Sequence, residues 1–224
     1  MFETLMQTSA AAAPGILQAA WDFLQKGGIF MIPLGVTSVV GVAAMVYKFL
    51  SLSPQHVIPA ALEKQLVNFH ELAQNKREAG VIKEVEKGDS ALARLAATAI
   101  RHRGKPQSDI AAAVESTARV EGARLHAGIG VLDIVITVAP LLGLLGTASG
   151  LVTIFQGLSD AADHLAIARG IAEALNTTIF GLAIAVPCVI AHGYFTRRIE
   201  LLTVRLESLL ADLVDACRGD ASQG

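Results

Sequence analysis

The chain has 224 residues, of which 53% are hydrophobic and only 17% are charged, and its mean hydropathy is +0.52. Soluble domains carry about 25% charged residues, so this composition predicts membrane-spanning segments. A formal net charge of −2 argues against nucleic acid as a partner, and only two cysteines, Cys188 and Cys217, argue against a disulfide framework.

Three apolar stretches predict three transmembrane helices. The first covers residues 27–50, and its single charged residue, Lys48, lies where a long stem can snorkel to the headgroups. The second, residues 134–158, lies in an uncharged run from Ile134 to Ser159, longer than the roughly 20 residues that span a bilayer. The third covers residues 171–195.

The remaining segments have helical patterns. The sequence predicts an amphipathic segment at the membrane interface for residues 1–26 and a polar helical loop domain for residues 51–133. It predicts a short connection for residues 159–170 and a C-terminal helix for residues 196–224. Ser108 is expected to cap a helix that runs on into the second span. Apolar residues recur at helical spacing in the loop domain (Ile58, Leu62, Leu66, Phe69, Leu72, Ala91, Leu92, Leu95 and Ile100).

The expected fold is therefore an all-α integral membrane protein with three transmembrane helices, two of them extended into a cytoplasmic helical stalk. Of 18 Lys and Arg residues, 11 lie in the stretch 51–127 and four follow Thr196, whereas only Lys26 and Arg169 lie on the opposite side. Positive charge favours the cytoplasm, so we expect a periplasmic N-terminus and a cytoplasmic C-terminus.

The segment Ala139–Gly150, APLLGLLGTASG, is built around one hydroxyl, that of Thr147. Its glycines have the spacing that lets membrane helices approach closely, and no Lys follows them as in a phosphate-binding loop. Pro140 lies seven residues before Thr147, on roughly the same helix face, and loosens the backbone hydrogen bonding. Six residues are predicted to serve helix packing: Gly143, Gly146, Gly150, Pro140, Gly181 and Pro187.

Four polar residues are candidates for an ion pathway: Thr147, Thr178, Glu173 and Thr177. On physical grounds Thr147 has two interpretations, a hydroxyl on a hydrated face or a packing residue bonded within and between helices. Glu173 is either an interfacial carboxylate or a buried carboxyl that lines a cavity. Asp133 is interpreted as an interfacial residue, with a role in ion exit as the alternative.

The chain shows no pattern typical of an enzyme. Its six histidines have no metal-binding spacing, and no serine or cysteine has a plausible catalytic base and orienting partner. We therefore expect no enzymatic activity, no metal and no cofactor.

The motifs APLLGLLGTASGLVTIF and GIAEALNTTIFGLAIAVP, with Tyr194-Phe195 after them, resemble the ExbB/TolQ/MotA proton-channel family. The first span, GGIFMIPLGVTSVV, and the count of three spans resemble the ExbB and TolQ branch. The resemblance covers Gly27–Leu210. The chain departs from the family pattern at Asn176-Thr177, which leaves open whether Thr177 or Thr178 faces a pore. A second departure is at Ala148-Ser149.

The resemblance implies a homo-oligomeric ring, usually a pentamer, in the bacterial inner membrane around helices of an ExbD- or TolR-like single-span partner. Protons would pass the partner's aspartate, with Thr147 and Thr178 as pore threonines and Glu173 as the third-helix glutamate. The motor would use the proton motive force, through a TonB- or TolA-like transducer, to energise a periplasmic or outer-membrane process such as TonB-dependent uptake.

Three alternatives remain open from the sequence. The first is a TolQ-like role in envelope maintenance, and the second is Na⁺ in place of H⁺. The third is a structural membrane scaffold that conducts no ion. A small-molecule transporter is disfavoured, because three spans without internal repeats lack the architecture of such proteins.

Overall fold

The computed structural model describes residues 29–67, 69, 79–157 and 164–217, and within these ranges the chain is almost entirely helical, with no strand. The predicted amphipathic segment 1–26 lies outside the described residues. The helices in these ranges are α1 Met31–Ser51, α2 Pro54–Val57, α3 Ala60–Val67, α4 Ala79–Lys87, α5 Ala91–Arg101, α6 Gln107–His126, α7 Ile129–Gln156 and α8 His164–Cys217.

Three helical stretches are long and apolar enough to cross a membrane. They are Met31–Ser51, Gln107–Gln156 (α6 and α7 together) and His164–Cys217, with mean hydropathies of 1.6, 2.2 and 2.0. The second and third, of 50 and 54 residues, far exceed the roughly 20 residues that a span requires. The predicted all-α fold with three spans, two of them in long helices, is confirmed.

The junction between α6 and α7 differs from the sequence-based expectation of one continuous helix. Helix α6 ends at His126, and Gly128 adopts a φ of 84°, a left-handed conformation that glycine tolerates best. The expected cap at Ser108 is wrong as well. Pro106 is the N-cap residue, without a side-chain hydrogen bond, and its fixed φ of −54° together with its missing amide hydrogen suits the start of a helix.

Lys48 does not snorkel to the surface. Its side chain is fully buried, and Nζ donates a hydrogen bond of 2.6 Å to the carbonyl oxygen of Leu125. That carbonyl belongs to the last turn of α6, where carbonyls lack partners within the helix and a cation is favoured by the helix dipole. The expectation failed because this partner lies 77 residues away in the chain.

The chain divides into two compact units, which are described separately. The first contains residues 1–40 and 135–187, and thus the beginning of α1, most of α7 and the first half of α8. Its buried residues are mostly small or aliphatic, such as Leu34, Ala139 and Ala174.

The second unit contains residues 41–134 and 188–224. Its described core includes the predicted stripe residues Ile58, Leu62, Leu66, Phe69, Ala91, Leu92 and Leu95, together with Leu206, Leu209, Leu210 and Leu213 of α8. Leu72 of the same predicted stripe lies outside the described residues. This unit is packed as a water-soluble helical bundle would be, through the apolar faces of amphipathic helices.

Helix α5 begins at a side-chain cap. Ser90 has an extended backbone, with φ of −85° and ψ of 157°, and its Oγ accepts a hydrogen bond of 3.1 Å from the amide of Ala93. The cap satisfies one of the unpaired amides at the helix start. The alanine-rich sequence that follows has high helix propensity, so local signals define this helix.

A buried carboxylate links α5 to α6. Glu121 is 3% exposed and accepts two hydrogen bonds from Arg94, of 2.8 and 2.6 Å, and a third of 2.9 Å from Arg124. Arg94 also pairs with Asp89, at 2.8 Å. The hydrogen bonding of Arg94 to Glu121, above all, raises the pKa of Arg94, so this guanidinium remains charged at any physiological pH.

Candidate functional site: a threonine cluster between two membrane helices

Helices α7 and α8 approach within backbone contact in the first unit. A Cβ atom on Gly181 would lie 2.5 Å from the carbonyl oxygen of Ala139, and one on Gly143 would lie 2.8 Å from that of Thr177. No side chain fits in either space, so glycine is required at both positions. The close approach brings the backbone carbonyls of each helix within reach of hydroxyls on the other.

Three threonine hydroxyls meet at this crossing. The Oγ1 atoms of Thr147 and Thr178 are 2.5 Å apart, and those of Thr147 and Thr177 are 3.4 Å apart. All three hydroxyls also lie within hydrogen-bond distance of the carbonyl oxygen of Gly143, at 3.2 Å for Thr147, 3.0 Å for Thr177 and 3.1 Å for Thr178. The carbonyl oxygen of Ala174 is a second acceptor, at 2.9 Å from Thr147 and 2.8 Å from Thr177.

The three hydroxyls have fewer hydrogens to donate than they have acceptor atoms within hydrogen-bond distance. Each hydroxyl has one hydrogen and two lone pairs, so these contacts cannot all be donated bonds at the same time. The hydroxyls therefore have several alternative bonding patterns of similar geometry. By rotation of their O–H bonds, such hydroxyls can donate to a carboxylate or accept from a protonated carboxyl, and the helices need not move.

The three threonine side chains differ in how deeply they are buried. Thr177 is 2% exposed and lies between the helices, whereas Thr147 and Thr178 are half-buried. Gly146 adjoins Thr177, because a Cβ there would lie 2.7 Å from its Oγ1. Thr177 thus lies in the contact between α7 and α8, and the other two hydroxyls lie nearer the surface of the helix pair.

Glu173 lies one helical turn before Thr177 and lines an open cleft of about 300 Å³. Its side chain is exposed in the single chain. The cleft is also lined by three of the predicted residues, Gly146, Gly150 and Thr177. The structure therefore brings the carboxylate and the buried threonine of α8 to one cavity.

Two polar lining residues of this cleft, Ser149 and Thr153 of α7, were not among the site residues predicted from the sequence. The sequence analysis treated Ser149 only as a departure from a family pattern. Both follow Gly146 on one helix face, at i+3 and i+7, and this spacing is the signal that could have found them. They add hydroxyls to the cleft that Glu173 enters.

The two prolines lie within their helices and outside the threonine cluster. Pro140 is in α7 and Pro187 in α8, and each removes one backbone donor from its helix. Gly150 is a further packing position, since a Cβ there would lie 2.7 Å from the Cβ of Ala174.

A second polar contact lies in the other unit. Nε2 of His192 is 3.0 Å from Oδ1 of Asp133, and the two side chains are 30% and 59% exposed. The sequence analysis found only that the histidines lack metal-binding spacing, and the two partners are far apart in the chain. Their pairing depends on which helices are neighbours.

No group of three or more His, Cys, Asp or Glu side chains is arranged to hold a metal ion within the described ranges. The titratable side chains that the described ranges bring together include the pair of His192 with Asp133 and the ion-pair cluster around Glu121.

Three apolar helices and a threonine cluster at a glycine-lined crossing define a multi-pass membrane protein with a polar site between its helices. The profile of the MotA/TolQ/ExbB proton channel family matches residues 87–208, more than half of the chain. The chain belongs to this family, and its relatives agree with the ExbB/TolQ branch.

Among curated proteins, the chain is similar to a putative biopolymer transport protein ExbB homolog of Methanothermobacter thermautotrophicus, with 34% identity over 119 residues (53% of this chain and 43% of the relative). It is 30% identical over 178 residues to a putative ExbB-like protein of Synechocystis (74% and 66%). It is 38% identical over 114 residues to the Tol-Pal system protein TolQ of Pseudomonas aeruginosa (47% and 49%). The match thus covers less than two thirds of the length of these relatives. These relatives, together with the three apolar helices, support the conclusion that the chain is a multi-pass protein of the inner membrane.

Proposed function

We propose that this chain is the ring-forming proton-channel subunit of an inner-membrane motor that works with a single-span ExbD- or TolR-like partner. The observation that carries the proposal is the pair of half-buried hydroxyls, Thr147 and Thr178, 2.5 Å apart and both within hydrogen-bond distance of the carbonyl oxygen of Gly143. Such a pair can bond to a carboxylate in either protonation state. Thr177 is proposed as a packing hydroxyl, because its side chain is almost fully buried between α8 and α7.

The proton carrier has to come from another chain in this proposal. Neutral hydroxyls cannot take up and release a proton near neutral pH. Along the described parts of α7 and α8, Asp133 lies near the start of α7 and Glu173 near the start of α8, and no acidic residue lies between them within the central apolar stretches. An aspartate on a partner helix would complete the pathway, with Glu173 at its outer entrance.

Proton movement supplies enough energy for work in this proposal. One charge crossing the membrane releases about 2.3 kcal/mol for each 100 mV of potential. That energy would bias the motion of ring and partner, which a TonB- or TolA-like transducer would pass to a periplasmic or outer-membrane process. TonB-dependent uptake is the proposed process, and TolQ-like envelope maintenance is the alternative.

Proton uptake into liposomes tests the channel function. Vesicles that contain the chain with its co-purified single-span partner should acidify under an imposed potential. Vesicles with the chain alone, or with a partner whose membrane aspartate is replaced by asparagine, should not. Equal uptake in all three preparations would contradict the proposal, and so would an absence of uptake in the first.

A scaffold without ion flux is the second candidate function, and one observation favours it. The three hydroxyls already bond to each other and to backbone carbonyls, as packing threonines do in membrane helices. A scaffold would bind the partner and show no uptake in the liposome experiment, so the same measurement separates the two functions.

We further propose a homo-oligomer, with a pentamer as the expected form. Its basis is the ring that membership of the MotA/TolQ/ExbB family implies, because the close-packed glycines of α7 and α8 are already used in the contact between these two helices. Native mass spectrometry in mild detergent should show the oligomer with its partner bound. A monomer under all mild conditions would contradict this proposal.

The proposed orientation places the N-terminus in the periplasm and the C-terminus in the cytoplasm. Cys188 and Cys217 are buried, so they contribute little background to labelling with a thiol reagent. A cysteine in place of the exposed Arg169 should react with an impermeant reagent from outside, and one in place of the exposed Lys105 should not. The reverse pattern would overturn the orientation.

A further inference from the structure

An apolar cleft of about 250 Å³ lies in the second unit, where the predicted first and third spans end. Because spans are expected to end at the level of the lipid headgroups, we infer that the cleft lies at that level. We call it the aromatic cleft, and its walls include Phe49, Leu50 and Leu52 on one side and Tyr194, Phe195 and Arg198 on the other.

Arg198 is the one charged residue of this lining, and it has no ion-pair or hydrogen-bond partner among the residues that the structure describes. Its neighbour Arg197 bonds to Glu200 at 3.1 Å, and Arg205 bonds to Glu63 at 2.5 Å. Arg198 is half-buried nonetheless. A guanidinium is always charged, and its partial burial beside apolar side chains is costly unless an anion accompanies it.

Half-burial distinguishes Arg198 from the other arginines that lack a partner within the described ranges. Arg101 and Arg169 have none either, but both are exposed. The arrangement therefore calls for an anion at Arg198 in particular.

The rest of the aromatic cleft requires an apolar ligand. Phe49 and Tyr194 are 70% and 58% exposed, at the depth where aromatic side chains contact lipid headgroups and the first carbons of the acyl chains. A free phosphate would use only the guanidinium and leave these rings without a contact. A ligand that contacts both the guanidinium and the rings has a negative charge with a hydrocarbon chain attached to it. Lipids with this structure are found at a membrane surface.

We propose that the aromatic cleft binds one anionic phospholipid, with the phosphate on Arg198 and an acyl chain along Phe49 and Tyr194. A planar guanidinium suits this ligand, because it can donate two parallel hydrogen bonds to one phosphate. The cytoplasmic leaflet, where the proposed orientation places this cleft, is rich in anionic lipids. The lining residues of the cleft belong to the second unit, and none of them belongs to the threonine cluster.

Lipid retention tests the site. The full chain is reconstituted into vesicles of equal parts phosphatidylglycerol and phosphatidylcholine, extracted in mild detergent, and its bound lipid is counted by native mass spectrometry. Arg198→Gln should lower phosphatidylglycerol retention about fivefold, because a basic residue near an anionic surface contributes about 1 kcal/mol. Arg197→Gln is the matched control, since it removes the same charge from the adjacent position outside the cleft, and it should retain lipid as the unaltered chain does.

A second variant guards against a folding defect. Ser53 also lines the aromatic cleft, and Ser53→Phe should exclude the acyl chain while leaving Arg198 intact. It should reduce retention as well, with an unchanged circular dichroism spectrum. Equal retention of the two lipids, or unchanged retention in both Arg198→Gln and Ser53→Phe, would overturn the proposal. A third result would also overturn the proposal: the unaltered chain retains no lipid, and both Arg198→Gln and Ser53→Phe dissociate the oligomer. The occupant of the cleft would then be a second copy of the chain.

Discussion

In the helix pair α7–α8 of the first unit, the closest contacts join backbone atoms, whereas α4, α5 and α6 of the second unit pack through apolar side chains and a buried carboxylate. Gly143 and Gly181 make the first arrangement possible, and Leu92 and Glu121 typify the second. The difference follows from the solvent. Lipid provides no hydrophobic force between helices, so small residues and polar contacts join them, whereas the polar unit gains from burying leucine.

The largest expected effect comes from filling the backbone contact. Gly181→Ala places a methyl group 2.5 Å from the carbonyl oxygen of Ala139, and a backbone atom cannot yield as a flexible side chain does. We expect destabilisation of about 3 kcal/mol or more, the upper end for overpacked sites, measured by thermal unfolding in detergent.

Gly193→Ala is the matched control on the same helix, since nothing lies within 4 Å of its added Cβ. It should keep or raise the melting temperature, because alanine favours a helix by up to about 1 kcal/mol over glycine. Similar losses in both variants would show that helix propensity, and not the close approach, determines the result.

An intermediate effect is expected at the buried carboxylate of the second unit. Glu121→Gln weakens the hydrogen bonds that Arg94 and Arg124 donate to this side chain, and it leaves Arg94 with Asp89 as its remaining carboxylate, so we expect a loss of about 1–3 kcal/mol in urea unfolding. Glu115→Gln is the control. Its pair with Arg119 is exposed on both sides, and its loss should be below about 0.5 kcal/mol. Equal losses would refute a special role for the buried pair.

The smallest effect is expected at the cap of α5. Ser90→Ala removes the hydrogen bond to the amide of Ala93 and should cost about 1 kcal/mol in the same unfolding measurement. Ser108→Ala should change stability by less than about 0.5 kcal/mol, because Ser108 is not the capping residue of α6. A larger loss at Ser108 than at Ser90 would contradict these cap assignments.

Sequence patterns predicted the features that depend on nearby residues. The uncharged run in the second span, the apolar stripes of the loop domain and the glycine spacing around Thr147 are all local, and the helices and contacts agree with them. The start of α6 is also local, but the preference of helix starts for serine pointed to Ser108, two residues after the actual N-cap residue, Pro106.

Features that depend on neighbouring helices were out of reach from the sequence. The burial of Lys48, the contact between His192 and Asp133 and the isolation of Arg198 each require knowledge of which helices pack together. The same is true of the choice between Thr177 and Thr178. One residue of register decides which hydroxyl is enclosed by α7, and only the structure supplies that register.

The role of the hydroxyls is the central claim, and proton uptake by vesicles that contain the chain and its partner tests it most directly. Thr147→Val and Thr178→Val nearly conserve shape and remove the hydrogen bonds, so each should abolish uptake with the oligomer and its bound partner intact. Thr147→Ser should retain more uptake, because the hydroxyl remains. The control is Thr37→Val in α1, whose hydroxyl bonds to the carbonyl oxygen of Pro33 in its own helix, at 2.7 Å, and uptake should be unchanged. Full uptake in both Thr147→Val and Thr178→Val, with normal assembly, would contradict the account and make these threonines packing residues.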